Sequence, residues 1–318
     1  MPSASEARGL IPDHLIARFR ADVEALGGEG VLALAVSGGP DSMAMLLLAA
    51  TAFPGRVIAA TVDHGLRAEA KVEAQLVADA CENLSVQHAI LKVEVARAAS
   101  VQAQAREASY DALADWARAQ GAAVLFTAHH ADDQAETMLM RLARGSGLAG
   151  LSGIRAQRDL GGGLALIRPL LGWRRAELAA IVATIPTVDD PSNRDQRHDR
   201  TRARALLTEA DWIDTVRLAA TAHHLAESTS ALDWMADEVI RSRCAVEADR
   251  ITADLAGLPS DIVRRTLAKL IARADSPVDG PTLDRLLSAL ENGAQGSVGG
   301  LIVQPGDRLI IQKAPERR

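Results

Sequence analysis

Apolar runs of strand length recur along the first half of the chain, separated by segments long enough to form helices. The four clearest runs begin at Val31, Val57, Val86 and Val124. Parallel neighbours in a sheet need a crossover of a dozen or more residues, usually a helix, and these spacings provide it. We therefore predict a doubly wound parallel α/β sheet, in which ligands bind beyond the carboxyl ends of the strands.

The pattern changes after residue 210. A long amphipathic helix is predicted from Trp212 through Ile240. Two further helices are predicted at about 260–273 and 281–291. Short strands are predicted at 250–254, 299–303 and 308–312. This mixture is typical of a small α+β domain. We therefore expect two domains, residues 1–210 and residues 211–318.

Length and composition describe an ordinary globular chain. The 318 residues are 48% hydrophobic and 24% charged, so the chain can bury a substantial core. No apolar stretch reaches membrane-spanning length without interruption, and the N-terminus lacks the apolar segment of a signal peptide. We expect a cytoplasmic protein with no membrane partner. The two cysteines, Cys81 and Cys244, lie far apart, which argues against a zinc site or a disulfide framework.

The net charge gives a weak indication against nucleic-acid binding. Lys plus Arg number 35 against 41 Asp plus Glu, which gives −6. Binding to a nucleic acid depends on a local cationic patch, however, rather than on the total charge. Only 3% of the residues are aromatic, so extended stacking on bases is excluded as the main means of recognition.

A glycine-rich turn, residues 37–42, separates the first apolar run from an apolar helix. Its residues are Ser37, Gly38, Gly39, Pro40, Asp41 and Ser42. Adjacent glycines let the backbone approach a ligand, and the N–H groups at the start of a helix favour phosphate. The lysine of a Walker loop is absent, and Asp41 would repel a bare anion. Mg²⁺ held by Asp41 and phosphate oxygens resolves that conflict, whereas the structural alternative is a simple strand–turn–helix corner.

Two further strand ends carry polar side chains. Asp63 and His64 end the second apolar run, and His129 and His130 follow the fourth. The carboxyl ends of parallel strands meet at one edge of a sheet, so these residues should emerge beside the glycine-rich turn.

An acidic helix start follows the second histidine pair. If the helix begins near Ala131, Asp133 and Glu136 are neighbours one turn apart, and Asp132 lies in the same first turn. As structural residues, these acids would cap the helix and complement its dipole. As functional residues, Asp133 and Glu136 would hold a metal or the ammonium group of an amine substrate, and His129 would transfer a proton.

A third cluster is rich in arginine. Five arginines lie between residues 194 and 204, namely Arg194, Arg197, Arg200, Arg202 and Arg204. Interspersed acids are consistent with a solvated, salt-bridged start of a helix. The functional alternative is a contact with phosphate or with an RNA backbone.

Taken in order, these motifs resemble those of the tRNA(Ile)-lysidine synthetases, which belong to the N-type ATP pyrophosphatase, or PP-loop, superfamily. The matching stretches lie at 37–42, 62–67, 129–147, 168–171 and 190–193. The resemblance implies an adenine-nucleotide α-hydrolase-like fold and an ATP-dependent carbon–nitrogen ligase. Such enzymes adenylate the wobble cytidine of a tRNA(Ile) with a CAU anticodon. L-lysine then displaces AMP to give lysidine.

The resemblance also implies roles for individual residues. ATP and Mg²⁺ would be held by residues 37–42, with Asp41 as the metal ligand, and by Asp63 and His64. Asp133 and Glu136 would position or deprotonate the lysine amine, while Arg200 would contact phosphate or the cytidine. Further candidate contacts with substrate or RNA are His129, Asp132, Arg202 and Arg204. Thr201 stands where the family motif has Asn, and a homodimer is suggested by the family alone.

Three other functions compete with this interpretation. A tRNA cytidine thiolase of the same superfamily would need paired cysteines for sulfur or an iron–sulfur cluster. A glutamine-dependent synthetase would need an amidotransferase domain or a route for ammonia. A non-catalytic, nucleotide-responsive RNA-binding protein would not need the three acids Asp41, Asp133 and Glu136.

Overall fold

The chain forms two compact units, Met1–Leu225 and Ala226–Arg318. The computed structural model describes residues 11–63, 69–93, 101–188, 199–247, 250–274 and 278–314, with backbone alone for 69 and 101–106. The boundary between the units falls inside a long helix. The division at residue 210 that we expect from the sequence stays a prediction.

The first unit is built on a six-stranded sheet. In chain order its strands are β1 (Leu32–Ala35), β2 (Val57–Asp63), β3 (Gln87–Lys92), β4 (Val124–Phe126), β5 (Gln157–Asp159) and β6 (Ala165–Ile167). Their spatial order is β3-β2-β1-β4-β6-β5, and every neighbouring pair is parallel except β5 with β6. The prediction of a doubly wound sheet is therefore confirmed, with an antiparallel edge strand that the sequence did not reveal.

Helices connect the strands of the first unit. In chain order they are α1 (Asp13–Ala25), α2 (Pro40–Ala52), α3 (Glu69–Asn83), α4 (Val101–Ala119), α5 (Ala131–Ala143), α6 (Leu148–Leu151), α7 (Arg175–Ile181) and α8 (Asp199–Glu209). Alternate residues of β1 point to opposite faces, so Leu32 and Leu34 join one apolar cluster and Ala33 joins another. The sheet is thus buried on both faces, which explains the continuous apolar runs in the sequence.

The order of the strands determines where a ligand can bind. The chain moves outward from β1 to β2 and β3, and then returns to place β4 on the other side of β1. This reversal is a topological switch point, where the loops after adjacent strands diverge and leave a crevice. The glycine-rich turn follows β1, and His129 and His130 follow β4, so both flank that crevice.

The second unit is an α+β domain with an antiparallel sheet. The long helix α9 (Thr215–Arg243) belongs to this unit from Ala226 onward. The remaining elements are β7 (Cys244–Val246), β8 (Arg250–Ala253), α10 (Ser260–Arg273), α11 (Gly280–Glu291), β9 (Gly296–Val298), β10 (Leu301–Gln304) and β11 (Leu309–Lys313). The strand order is β7-β8-β11-β10-β9. Two of these five short strands, β7 and β9, lie outside the predicted ones.

Candidate active site

The glycine-rich turn forms a tight corner between β1 and α2. Gly38 has a φ of 87°, and a Cβ at this position would lie 2.9 Å from Cγ2 of Val188. A side chain is therefore disfavoured by both the backbone conformation and the space. Ser42 Oγ accepts a hydrogen bond from the Ser37 backbone N at 3.2 Å and donates one to the Gly39 carbonyl at 2.9 Å. Glycine and serine together fix the shape of the turn.

A cavity of about 910 Å³ opens beside this turn, at the carboxyl edge of the sheet. It is large enough for a nucleotide-sized ligand. Nine of the residues proposed from the sequence line it, namely Ser37, Gly39, Pro40, Asp41, Ser42, His129, Asp133, Arg200 and Arg204. The turn after β1 and the segment after β4 therefore contribute to one cavity, whereas the expected contribution of Asp63 and His64 stays a prediction.

His130 lies at the centre of the acidic groups. It is fully buried, and its Nε2 lies 3.4 Å from Asp41 Oδ2, close enough for an ion pair but not aligned for a hydrogen bond. Its Nδ1 accepts from the Asp133 backbone N at 3.4 Å, and the Asp133 carboxylate accepts from the His130 backbone N at 3.1 Å. Burial alone would lower the pKa of His130, but Asp41, Asp133 and Asp132 together raise it above its ordinary value.

Asp132 joins the start of α5 to the start of α7. Its carboxylate accepts from Arg174 Nε at 3.3 Å, from Arg174 Nη2 at 3.2 Å and from the Arg175 backbone N at 2.8 Å. Burial would raise the pKa of Asp132, but these donors lower it overall. Asp132 does not line the cavity; it fixes the two arginines beside it.

Glu136 is enclosed by two arginines of α8. It is 1% exposed, and its Oε1 accepts from Arg204 Nε at 2.6 Å. Arg200 Nε lies 3.0 Å from Oε2, close but poorly aligned for a hydrogen bond, and Arg200 Nη2 lies 3.6 Å from Asp133 Oδ1. A further ion pair, between Arg144 and Asp199, joins the end of α5 to the start of α8. Asp133 and Glu136 of α5 are therefore matched by cations of α8, and Arg144 at the end of α5 is matched by a carboxylate of α8.

Some residues proposed from the sequence lie elsewhere. Asp63 ends β2, is 8% exposed and interacts with another residue. It is not among the residues that line the cavity in the described chain. Arg202 points away, with 76% of its side chain exposed and Asp199 as an ion-pair partner at 3.8 Å. His129 lines the cavity, and its Nδ1 lies 3.1 Å from Thr127 Oγ1. His64 and residues 190–198 lie outside the described residues.

Three residues of the site were missed by the sequence analysis. His130 was noted only as the neighbour of His129, and Arg174 and Arg175 were not considered as site residues. One signal was present in the sequence. Arg174 and Arg175 are adjacent in the sequence and stand at the N-terminus of α7, where cations are unfavourable beside the positive end of the helix dipole, so they indicate an acidic partner elsewhere in the fold. For the guanidinium group of Arg174 that partner is Asp132, and for that of Arg175 it is Asp41.

The surroundings of Asp41 fit a metal shared with a ligand. Its Oδ1 atom is buried and has no hydrogen-bond partner among the described residues. No cluster of three or more His, Cys, Asp or Glu side chains within those residues could hold a metal alone. One carboxylate oxygen completed by phosphate oxygens and water is an arrangement that Mg²⁺ favours.

Comparison with known proteins identifies the family. The profile described as a PP-loop domain matches residues 14–210. A tRNA(Ile)-lysidine synthase of Novosphingobium aromaticivorans is 44% identical over 311 residues, covering 95% of this chain and 94% of the relative. One of Zymomonas mobilis is 38% identical and covers 98% of both chains. The chain belongs to the tRNA(Ile)-lysidine synthase family. The resemblance inferred from the motifs is confirmed, as are an enzyme of the ligase class and an ATP-binding PP-loop domain.

A solved structure supports the fold of this family member. The U34-tRNA thiolase NcsA from Methanococcus maripaludis superimposes with a TM-score of 0.55, covering 67% of this chain and 79% of the thiolase. Their sequence identity is 16%, so the likeness concerns the fold alone. Among the described residues, no helix is both long enough and apolar enough to cross a membrane.

Proposed function

We propose that this protein uses ATP to join L-lysine to the wobble cytidine of a tRNA(Ile) with a CAU anticodon, giving lysidine, AMP and pyrophosphate. The observation that carries the proposal is one cavity lined by the glycine-rich turn, by Asp133 of the acidic helix α5, and by Arg200 and Arg204 of α8. Its relatives are named tRNA(Ile)-lysidine synthase and match over nearly the whole chain.

ATP would bind at the switch point with its pyrophosphate in the turn. Ser37 and Gly39 line the cavity, and the backbone N–H groups at the start of α2 lie at the positive end of its dipole. Mg²⁺ would be held by Asp41 together with phosphate oxygens, and when bound it would neutralise charge on the departing pyrophosphate.

The first step would form a bond between an oxygen of the cytidine and the α-phosphorus of ATP. The bond from that phosphorus to the bridging oxygen would break, and pyrophosphate would leave with the electron pair. The backbone N–H groups of the turn would stabilise the negative charge that develops on the leaving group. The absence of a Walker lysine suits this reaction, because the γ-phosphoryl group is not the one transferred.

The second step needs a neutral amine. The lysine nitrogen would attack the base carbon that carries the adenylated oxygen, and AMP would leave with that oxygen. Asp133 would accept the proton of the amine, since Asp133 lines the cavity. Glu136 is not among the lining residues, and its two oxygens lie 2.6 and 3.0 Å from guanidinium nitrogens. Glu136 would attract the ammonium before this transfer, in competition with Arg200 and Arg204.

The thiolase alternative has less support. The structure of the thiolase NcsA contains a [4Fe-4S] cluster, and such clusters need several cysteine ligands. In this chain Cys81 is buried within α3, and Cys244 lies in the other unit. A cytoplasmic location and a homodimer stay predictions.

A transfer assay tests the proposed function. The protein is mixed with ATP, Mg²⁺, labelled lysine and an unmodified tRNA(Ile) transcript with a CAU anticodon. We expect label on the tRNA, with release of one AMP and one pyrophosphate for each lysine joined. A transcript with uridine at the wobble position is the matched control. Labelling of that control, or AMP release without transfer of lysine, would contradict the proposal.

A further inference from the structure

Arg175 is held in place by its backbone. It begins α7, and its N–H donates to Asp132 at 2.8 Å. The preceding residue, Arg174, binds the same carboxylate and also donates its own backbone N–H to Glu177 at 2.7 Å. Glu177 in turn accepts from Arg18 at 2.8 Å. These contacts fix the position of the Arg175 backbone without using its guanidinium group.

The helix that carries Arg175 is also fixed relative to the glycine-rich turn. Helix α7 packs against α2, the helix that begins within this turn. Leu178 and Trp173 are fully buried in the apolar cluster that also contains the buried residues of α2. The Trp173 carbonyl accepts from the Ala131 backbone N at 2.8 Å. The side chain of Arg175 therefore projects from a helix that packs against α2, the helix that contains Asp41.

The guanidinium of Arg175 faces the cavity on the side of the turn. It is one of the cavity-lining residues, and its Nη2 lies 3.8 Å from Asp41 Oδ2, too far for a hydrogen bond. About a third of the side chain, 36%, is exposed. Its planar fork of donors suits the oxygens of a phosphate group.

The glycine-rich turn lacks a cation of its own. The sequence from Val31 to Gly55, which contains β1, the turn and α2, has no Lys or Arg. The other arginines that line the cavity in the described chain, Arg200 and Arg204, contact carboxylates of α5. Arg175 is the one directed at Asp41, next to the expected position of pyrophosphate.

We propose that Arg175 binds the pyrophosphate portion of ATP and stabilises it as it leaves, in place of the lysine that a Walker loop would supply. This inference rests on the proposed function, and it assigns Arg175 to the adenylation step alone. A guanidinium that gains charge-assisted hydrogen bonds as the leaving group becomes more negative lowers the barrier of that step.

Variants of Arg175 test this assignment. At saturating ATP, Arg175→Gln should slow pyrophosphate release in a single turnover by about 100-fold, the usual effect of losing one such donor. Arg175→Lys should recover part of that loss, and added guanidinium ion should partly rescue Arg175→Ala. Arg158→Gln, on an exposed position of β5, is the matched control and should behave as wild type.

Product inhibition identifies the group that Arg175 contacts. Inorganic pyrophosphate with Mg²⁺ should inhibit Arg175→Gln at least 10-fold more weakly than wild type, whereas inhibition by AMP and the KM for lysine should not change. The thermal midpoint should not change either, because the backbone contact with Asp132 does not depend on the side chain. A purely structural role would lower the thermal midpoint and leave guanidinium without effect.

Two results would overturn the inference. One is pyrophosphate release by Arg175→Gln within threefold of wild type. The other is weakened inhibition by AMP with unchanged inhibition by pyrophosphate. If wild type released no pyrophosphate in the presence of tRNA, the proposed function would fail instead. Calorimetric titration of Mg²⁺-pyrophosphate into wild type and Arg175→Gln would still test the role of Arg175.

Discussion

Arginine–carboxylate pairs occur in both units of the chain, but their surroundings differ. In the first unit Glu136 is 1% exposed and lies between two arginines next to a cavity. In the second unit Arg265 binds Asp233 at 2.8 Å and Asp261 at 2.7 Å, where the two carboxylates are 37% and 49% exposed. Arg265 and its two partners are not among the residues that line the 910 Å³ cavity, and they belong to the other unit.

The difference in exposure of the carboxylates indicates two different roles for arginine–carboxylate pairs in this chain. Partly exposed ion pairs gain about 1 kcal/mol or less. The pair of Arg265 with Asp233 joins α10 to α9, whereas its pair with Asp261 lies within α10. A buried carboxylate loses its hydration, and its cations must offset a cost of several kcal/mol. A nonpolar residue at position 136 would avoid the cost of burying a carboxylate, so stability alone does not explain a glutamate there. We therefore attribute its presence to the ligands of the cavity, and the following predictions test this contrast.

Substitution of Asp41 should have the largest effect. Asp41→Ala removes the carboxylate whose Oδ1 is buried without a partner among the described residues. We expect adenylation to fall by about 1,000-fold or more, since a metal contributes several kcal/mol to such a step. The measurement is pyrophosphate release in a single turnover with saturating ATP and tRNA. Activity within tenfold of wild type would contradict the role of Asp41.

Glu136→Gln should affect the second step. The neutral amide has nearly the same shape but attracts an ammonium group much less. We expect the KM for lysine to rise by roughly 10- to 100-fold, the effect of one charged hydrogen bond, while pyrophosphate release from ATP changes little. Steady-state kinetics with each substrate varied in turn distinguishes an effect on lysine binding from an effect on adenylation. An unchanged dependence on lysine would show that Glu136 does not bind it.

Binding of nucleotide should raise the affinity for lysine. Arg204 Nε donates to Glu136 and would compete with the lysine ammonium for this carboxylate. Phosphate oxygens in the cavity would draw the arginine away, so we expect about tenfold tighter binding of lysine with a non-hydrolysable ATP analogue and Mg²⁺. Arg204→Gln should remove this dependence. Equal affinities in calorimetric titrations with and without the analogue would refute the competition.

Asp132→Asn should lower stability more than it changes ligand affinity. The carboxylate accepts two charge-assisted hydrogen bonds from Arg174, and its loss should cost about 2 kcal/mol. Because folding lowers the pKa of Asp132, its contribution is complete above the unfolded-state pKa and disappears as the pH falls through the folded-state value. Urea unfolding between pH 7 and pH 3 should therefore give a shallower acid dependence in the variant. Parallel pH profiles would contradict this.

Asp233→Asn in the second unit should have the smallest effect. Its ion pair with Arg265 is partly exposed, and Asp261 remains as a partner. We expect a loss of less than about 1 kcal/mol and unchanged kinetics for ATP and lysine. Chemical unfolding measures the change in stability, and the transfer assay measures the kinetics. A large loss of activity would mean that the contrast between the two groups of ion pairs is wrong.

Much of the fold could be predicted because its signals are local. Apolar runs identify β1 to β4, and the predicted helix at 260–273 agrees with α10. The strands β4, β5, β7 and β9 have three residues each, too few for a periodic pattern. All three residues of β4 are buried and apolar, whereas β5, β7 and β9 have at most one buried residue each. Their pairing depends on partners distant in the sequence. For the same reason the antiparallel edge of the first sheet was not foreseen.

The sequence by itself determined the family and the chemical groups. The order of the glycine-rich turn, the acidic helix start and the arginine-rich segment is specific, because each motif needs particular residue types at fixed spacing. The alternation of apolar runs with helices also determined that strand ends would meet at one edge. These properties follow from backbone geometry and from the chemistry of single side chains.

Only the tertiary structure decided which groups face one another. Asp132 does not line the cavity and instead holds Arg174 and Arg175, whereas Glu136 is enclosed by arginines from a helix more than sixty residues away in the chain. The physical reason is that burial and pairing depend on how helices pack across the sheet. Neither is encoded in the spacing of residues along one segment.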